Sequence, residues 1–551
     1  MPGRLNSLGN SLMRHFATFG ELSDLNRSIE LQEDAVKLSS DEHPDKPNFL
    51  NSLACSLVYR FEKVGDLSDI NKAVQAAEDA VNLTPDGHPD KPARLINIAN
   101  SLLPRSERLA NLSHLDKAIQ IQEAALQLLT EGHPDKHMYL HNIGTSLTSR
   151  FEKVGNLTDL ERSIQVEEDA LQIIPEEHPN KHSHLNNLGT SLLRRFQRLG
   201  EVPDVNRSIQ LLEEAVNLVS DGHPDKPARL CNLGNAFYTR FNKQIKKADL
   251  HAAASCYSSA AYSITGPTYV KFTAAYKWME CARSHLPDQT MQACTTAMDL
   301  IPELTWLGSS IRDRHHQVIK AGRVARDAAA IAIEAAEYRT AVEWLEQGRS
   351  VIWSQLLQLR SPVDELRGVE PELAERLQSL SFQLEGTTSR PDQKVTQANY
   401  HKLALEREEL LKQIRRLDGF GRFLLPKTFS QLLPMADRWP IVMLNISEIR
   451  CDALALVPGC NDSEVLQISL QNLSHSDVLA WRERLQIILV KPWLSLTDLR
   501  KAIQVPDAGM SMNREEVLAW ILKQIWERVM EPVLRALAIT VSCYYIKLRL
   551  I

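Results

Sequence analysis

The tetrapeptide His-Pro-Asp-Lys recurs at residues 43–46, 88–91, 133–136 and 223–226, with His-Pro-Asn-Lys at 178–181, so successive copies lie 45 residues apart. A spacing held through five copies rules out a single globule with one pocket. Each copy must be a supersecondary unit that buries its apolar face only against its neighbours. Arrays of that kind present long surfaces, and holding another molecule is their default use.

Aligned on this period, the chain resolves into columns. Leu5, Leu50, Leu95, Leu140, Leu185 and Leu230 open a stripe that continues three residues later with Leu8, Leu53, Ile98, Ile143, Leu188 and Leu233. Leu12, Leu57, Leu102, Leu147, Leu192 and Phe237 complete the i, i+3, i+7 spacing of an amphipathic helix. Between them runs a column that is always small, Gly9, Ala54, Ala99, Gly144, Gly189 and Gly234, where a neighbouring helix must approach closely. A second helix is predicted from about Asp24, Asp69, Asp159 and Asp204, with Ser23 and Ser68 as caps and a capping box at Thr158–Glu161. Its stripe includes Ile29, Val74, Ile119, Ile164 and Ile209, followed by the small column Ala35, Ala80, Ala125, Ala170 and Ala215. The unit is therefore a helix pair with two loops.

A recurring histidine invites a metal reading, but zinc ligands sit about 2 Å from one ion. Equivalent residues on packed helices are roughly 8–10 Å apart. One histidine per repeat cannot build a shared site, so the motif reads as a turn and no metal or cofactor is expected. Pro104 falls inside a first helix and should kink it. The array begins almost at residue 1 with no polar capping helix ahead, which points to a missing upstream segment.

Composition narrows the partner. Charged residues make up 24% of the chain and the net charge is −6, which leaves no nucleic-acid or membrane-surface footprint. Eight scattered cysteines without a C-x-x-C pair read as reduced thiols. Neither a signal peptide nor an apolar run of spanning length is present. The expected compartment is the cytoplasm, with the nucleus as the alternative, and no feature sets an oligomeric state.

The pattern Leu185-x-x-Leu188-Gly189-x-x-Leu192 with Ala215 resembles the tetratricopeptide repeat (TPR), in a longer unit similar to that of kinesin light chains. The resemblance covers residues 4–242 and implies a right-handed α-solenoid whose concave groove is lined by first-helix positions. Carried over column by column, it implies a protein or peptide site at Asn6, Asn10, Asn51, Cys55, Tyr59, Ile96, Asn100, His141, Thr145, Asn186, Thr190, Arg194, Asn235 and Tyr238. Amides and hydroxyls there suit a peptide backbone, and Arg194 suits a carboxylate.

Beyond the array (1–265), residues 266–360 read as degenerate TPR-like helices and 361–426 as a helical hairpin. Leu373, Leu377, Leu380 and Leu384 form one seam of that hairpin, and Leu403, Leu410, Ile414 and Leu417 the other. From 427 to 551 short apolar runs at Ile441–Ile446, Ala453–Val457 and Glu464–Ile468 read as strands, followed by a helix over Glu515–Leu537. The fold class is thus mainly α, a solenoid followed by a hairpin and an incomplete α/β segment.

The stretches Leu345–Trp353 (LEQGRSVIW) and Phe420–Pro426 (FGRFLLP) resemble the lead-in to a CHAT domain. Such domains follow long TPR arrays in a large fungal family. The resemblance, over about 340–537, implies a caspase-like α/β fold that in active members carries a His-Cys dyad. Neither dyad segment has a counterpart before Ile551, so no catalytic residue is carried over. Cys451, Cys460, Cys543 and His475 have no motif around them. The chain is expected to be a non-enzymatic scaffold with a truncated CHAT-like segment, the alternative being a fragment of a TPR-regulated cysteine peptidase. A sheet that short is expected to leave an apolar face uncovered and the region after 430 poorly stable.

Overall fold

Each 45-residue unit folds as two paired helices. The first helices are α1 (Pro2–Phe19), α3 (Lys46–Val64), α5 (Lys91–Leu109), α7 (Lys136–Val154), α9 (Lys181–Leu199) and α11 (Lys226–Gln244). Their partners are α2 (Leu22–Lys37), α4 (Leu67–Asn82), α6 (Leu112–Gln127), α8 (Leu157–Ile173), α10 (Val202–Asn217) and α12 (Lys247–Ala261). The computed structural model describes residues 1–19, 22–109, 111–304, 311–359, 363–389, 397–458, 465–490 and 514–537. They fall into two compact units, one of Met1–Ser284, Glu303–His315 and Leu359–Ile414, the other of His285–Pro302, His316–Gln358 and Arg415–Ile551. Among the described residues no helix is long and apolar enough to cross a membrane.

Three polar devices hold the pairs in register. The first is the turn between the two helices of a pair. Gly65, Gly155 and Gly200 adopt φ of 76–78°, and their N–H groups cap Phe61, Phe151 and Phe196 at 2.7 Å. The side chains of Asp66, Asn111 and Asn156 then accept the N–H two residues on, at Ser68, Ser113 and Thr158. The caps thus lie two residues before the expected Ser68 and Thr158, because an Asp or Asn carboxyl or amide oxygen reaches the N2 donor from N-cap.

The second device joins the two helices of a pair. Arg60, Arg150, Arg195 and Arg240 grip Asp69, Asp159, Asp204 and Asp249 through paired bonds of 2.6–2.8 Å. All four carboxylates are buried, so this fork-to-carboxylate geometry satisfies charges that would otherwise be costly.

The repeated tetrapeptide supplies the third. In each copy the histidine Nδ1 accepts the N–H of the residue two further on, at 3.1–3.2 Å. In three copies the lysine reaches back to a carbonyl just past the preceding helix, Lys46 to Ser39 (3.1 Å), Lys91 to Thr84 (2.7 Å) and Lys226 to Val219 (2.8 Å).

Apolar packing is correspondingly local. One cluster joins Leu50, Val74, Ile98, Leu102 and Ala118 from two adjacent pairs, and another joins Phe151, Leu160, Ile164, Leu188 and Leu192. Each pair packs mainly on its neighbours, as a stacked array requires. The small column accommodates whatever crosses it from the second helix. A Cβ on Gly234 would meet the ring of Tyr257 at 2.7 Å, and one on Gly189 would meet Leu212 at 2.8 Å.

In the same unit, helices Pro371–Ser389 and Gln397–Ile414 pack on each other through Leu377, Leu380, Leu384, Leu410 and Ile414. The second unit carries a sheet of three antiparallel strands among the described residues, β1 (Ile441–Ile446), β2 (Cys451–Leu456) and β3 (Leu466–Ser469), in that order. Every residue of β2 is buried. Cys451, Ala453 and Ala455 meet Trp481, Val517, Ile521 and Val533 from the helices His475–Val490 and Arg514–Ala536. From β1 and its turn, Asn445 donates to the Arg326 carbonyl and Ser447 to Asp327 at 2.6 Å, tying the strand to the helix Ile311–Glu334. The expected uncovered apolar face is therefore layered with helix, because the segments after the strands fold back over it.

Candidate functional site

The first helices of neighbouring pairs lie side by side, and their polar residues meet across the seam. Asn97 donates to Asn51 at 2.7 Å, Asn232 to Asn186 at 2.9 Å, Asn187 to Thr145 at 3.0 Å and the Arg194 Nε to Glu152 at 2.7 Å. Recurrent offsets of 42 or 46 residues show why: the 45-residue period carries a side chain to the equivalent helix, and positions one residue beyond it and three short of it, about one turn apart, face the neighbour. Much of the polar face anticipated from the columns is thus a lateral ladder between helices.

Its members differ in what they leave for a ligand. Tyr59, Asn100 and Thr145 are exposed. Asn10, Asn51, Cys55, His141, Thr190, Arg194, Asn235 and Tyr238 are half-buried, whereas Asn6, Ile96 and Asn186 are buried. Asn10 accepts from Gln32 and Asn235 from Tyr257, both on the partner helix of the same pair. Arg194 bonds Glu152, and burial lowers its pKa from the ordinary guanidinium value.

One place on this face gathers titratable groups. Glu167 of α8 is fully buried. His141 Nδ1 lies 3.0 Å from its Oε1, and His184 Nδ1 lies 3.2 Å from Oε2. His137 Nδ1 stands 3.2 Å from His184 Nε2, and Asn187 Nδ2 reaches Thr145 with His141 and Glu167 beside it. The bonds close in one sense: His184 donates to Glu167 from Nδ1 and accepts from His137 at Nε2, while His141 donates from Nδ1. Burial, then the neighbouring His184 and His178, lowers the His137 pKa.

Only His141 of this set was among the anticipated groove residues. Glu167, His137 and His184 escaped because column reasoning looks for what repeats. The Glu167 column otherwise reads Gln32, Ala77, Gln122, Leu212 and Tyr257; the His184 column reads Arg4, Phe49, Arg94, Tyr139 and Arg229. The available signal was departure from a column, concentrated at adjacent repeats.

In the second unit Cys451 opens β2 and His475 opens a helix. Burial raises the Cys451 thiol pKa, the reverse of an activated nucleophile. Cys460 and Cys543 lie outside the described residues.

The chain matches no protein-family model and no curated protein. Among solved structures it is similar to a Podosopora anserina kinesin light chain with nearly identical TPR-like repeats, at 16% identity and TM-score 0.30, over 40% of this chain and 100% of that one. It is also similar to Acl4, an assembly chaperone of RpL4, at 13% identity and TM-score 0.26, over 58% of this chain and 99% of the other.

Proposed function

We propose that the helix-pair array is a non-catalytic scaffold that holds a protein or peptide along the concave face of its first helices. The observation that supports this reading is a single helical face, kept in register through successive first helices, on which Tyr59, Asn100 and Thr145 remain exposed beside half-buried amides and His141. An extended chain lying across the helices would find backbone partners at each repeat and an aromatic anchor at Tyr59. The net charge of −6 favours a protein over a nucleic acid as that ligand.

The ladder decides which substitutions are informative. Asn186 and Arg194 are committed to Asn232 and Glu152, so replacing them perturbs the stack itself. Tyr59→Arg with Asn100→Arg instead places bulk and charge on the open part of the face. Affinity capture from a cell extract with this double variant is expected to lose partners that the wild type recovers. Gln75→Ala, on the exposed side of α4, is expected to keep them. Equal recovery by both variants would remove the groove from consideration.

For the second unit, what supports the CHAT-like reading is the pair of strands at Ile441–Ile446 and Cys451–Leu456 backed by the Arg514–Ala536 helices. No catalytic role for Cys451 belongs to that reading, given its buried thiol.

A further inference from the structure

The groups around Glu167 are arranged as a ligand set. We propose that His141 Nδ1, His184 Nδ1 and the Glu167 carboxylate bind one divalent transition-metal ion of the Zn²⁺ class, with its fourth position on the His141 side. The proposal stands independently of the groove reading, since it requires no partner protein.

Three observations carry it. The first is spacing. Ligands about 2.0–2.2 Å from a tetrahedral ion lie roughly 3.3–3.5 Å from one another. Here the imidazole-to-carboxylate distances are 3.0, 3.2 and 3.3 Å, and all three ligand atoms fall within 4.8 Å of one another. Small side-chain movements admit an ion without moving a helix. The donor set, two imidazoles and one carboxylate, suits Zn²⁺ and its neighbours. Calcium or magnesium would want more oxygens.

The second is charge. Glu167 is fully buried, and among the described residues its ion-pair partners are His141 and His184, with no lysine or arginine. A bound dication would set positive charge directly against this buried carboxylate. Ligation requires Nδ1 of His141 and His184 to be free of a proton, with the ring N–H at Nε2. The His184 Nε2–H then donates to His137 Nδ1, whose own proton moves to its Nε2. Such an outer acceptor is what orients a metal-bound imidazole. His137 is accordingly a positioning residue.

The third is that repetition does not explain the cluster. The motif histidines spend Nδ1 on a backbone N–H in every copy. His141, Glu167 and His184 are each the only such residue in their columns. The second grouping of His182, His223 and Asp225 is a poorer candidate. His223 Nδ1 already accepts the Asp225 N–H, and the Arg229 guanidinium stands 3.5 Å from His182.

The test uses the tag-free full chain, stripped with a chelator, with Zn²⁺ and Co²⁺ as probes. Saturable binding of one ion per chain is expected, with the visible absorption of four-coordinate Co²⁺. Glu167→Gln and His184→Tyr borrow residues the chain already uses at those columns, Gln122 and Tyr139, so both should keep their helical circular dichroism. Each should weaken binding by more than the roughly 10–100-fold expected of an outer-shell change such as His137→Phe. His182→Ala should leave binding unchanged. Absence of saturable binding, retention of it in both ligand variants, or its loss in His182→Ala would each overturn the assignment.

Discussion

The third and fourth helix pairs share one plan and differ in how their buried polar groups are satisfied. In the fourth, Arg150 grips Asp159 at 2.8 and 2.6 Å and reaches Asp116 of the third pair at 2.9 Å. The hydrogen bond to Asp159 is the main reason its pKa is raised. In the third, Arg105 has His114 where the aspartate should be, and neither Arg105 Nε nor His114 Nδ1 has a hydrogen-bond partner. Gln122, fully buried, leaves both amide atoms unpartnered, while Glu167 at the same column is held by two imidazoles. Pro104 stands where the fourth pair has Ser149, and α5 continues through it without that N–H. The period therefore carries the apolar stripe faithfully but not its polar complement. Local stability should follow the latter, because each orphaned buried group costs about 1–3 kcal/mol.

Breaking the stronger pair should give the largest effect. Asp159→Ala leaves Arg150 without its main partner in a site where the carboxylate is only 8% exposed. Losing one half of such a pair costs about 3 kcal/mol. A stacked array does not unfold in one step, so the readout is amide exchange helix by helix. Exchange in α7 and α8 should quicken by roughly 100-fold. Unchanged rates there would mean that the pair adds register and no stability.

Repairing the weaker pair should act in the opposite direction. Pro104→Ser restores the N–H that can bond the carbonyl of Asn100. Proline inside a helix costs about 3 kcal/mol, and position 104 lies near the end of α5, so about 2 kcal/mol should return. Slower exchange confined to α5 and α6 is expected. If α5 exchanges as before, the proline is already accommodated and the contrast between the pairs rests on charge alone.

These differences mark how far the sequence could be read. The helix pairs and the close-approach column follow from spacing, since apolar periodicity and backbone rules act residue by residue. The Arg150–Asp159 grip was visible as a nine-residue offset but carries no apolar signal, and only the fold shows it spanning two helices. The cluster at Glu167 was further out of reach. His137, His141 and His184 come from adjacent repeats and Glu167 from the helix between them, so their meeting depends on how one pair stacks on the next. The sheet was legible as strands and the helix after Glu515 as a helix, but that this helix and His475–Val490 pack on the strands depends on tertiary contacts that periodicity does not carry.

The smallest predicted change separates charge from backbone in the third pair. His114→Asp places a carboxylate opposite Arg105, matching Asp159 opposite Arg150, and a hydrogen bond to a charged partner contributes about 1.5 kcal/mol. Its pH dependence has a definite sign. Burial, then the charges of Arg105 and Lys117, lowers the His114 pKa from the ordinary imidazole value of 6.5. Above that value the imidazole is neutral in both folded and unfolded chains and exerts no effect. As the pH falls through 6.5 the unfolded chain takes up a proton that the folded one resists, so stability declines until the lowered folded pKa is passed and is then level. In His114→Asp that decline should vanish from α5 and α6, and exchange at pH 6 and pH 7 should agree there once the intrinsic pH effect is removed. His137 and His182, both lowered chiefly by burial, remain in the variant and should keep the same acid sensitivity in α7 and α9. An acid loss that persists in the third pair would mean that His114 is not its source. Exchange as fast at pH 7 as in the wild type would place the weakness in the helix interrupted by Pro104 and not in the missing carboxylate.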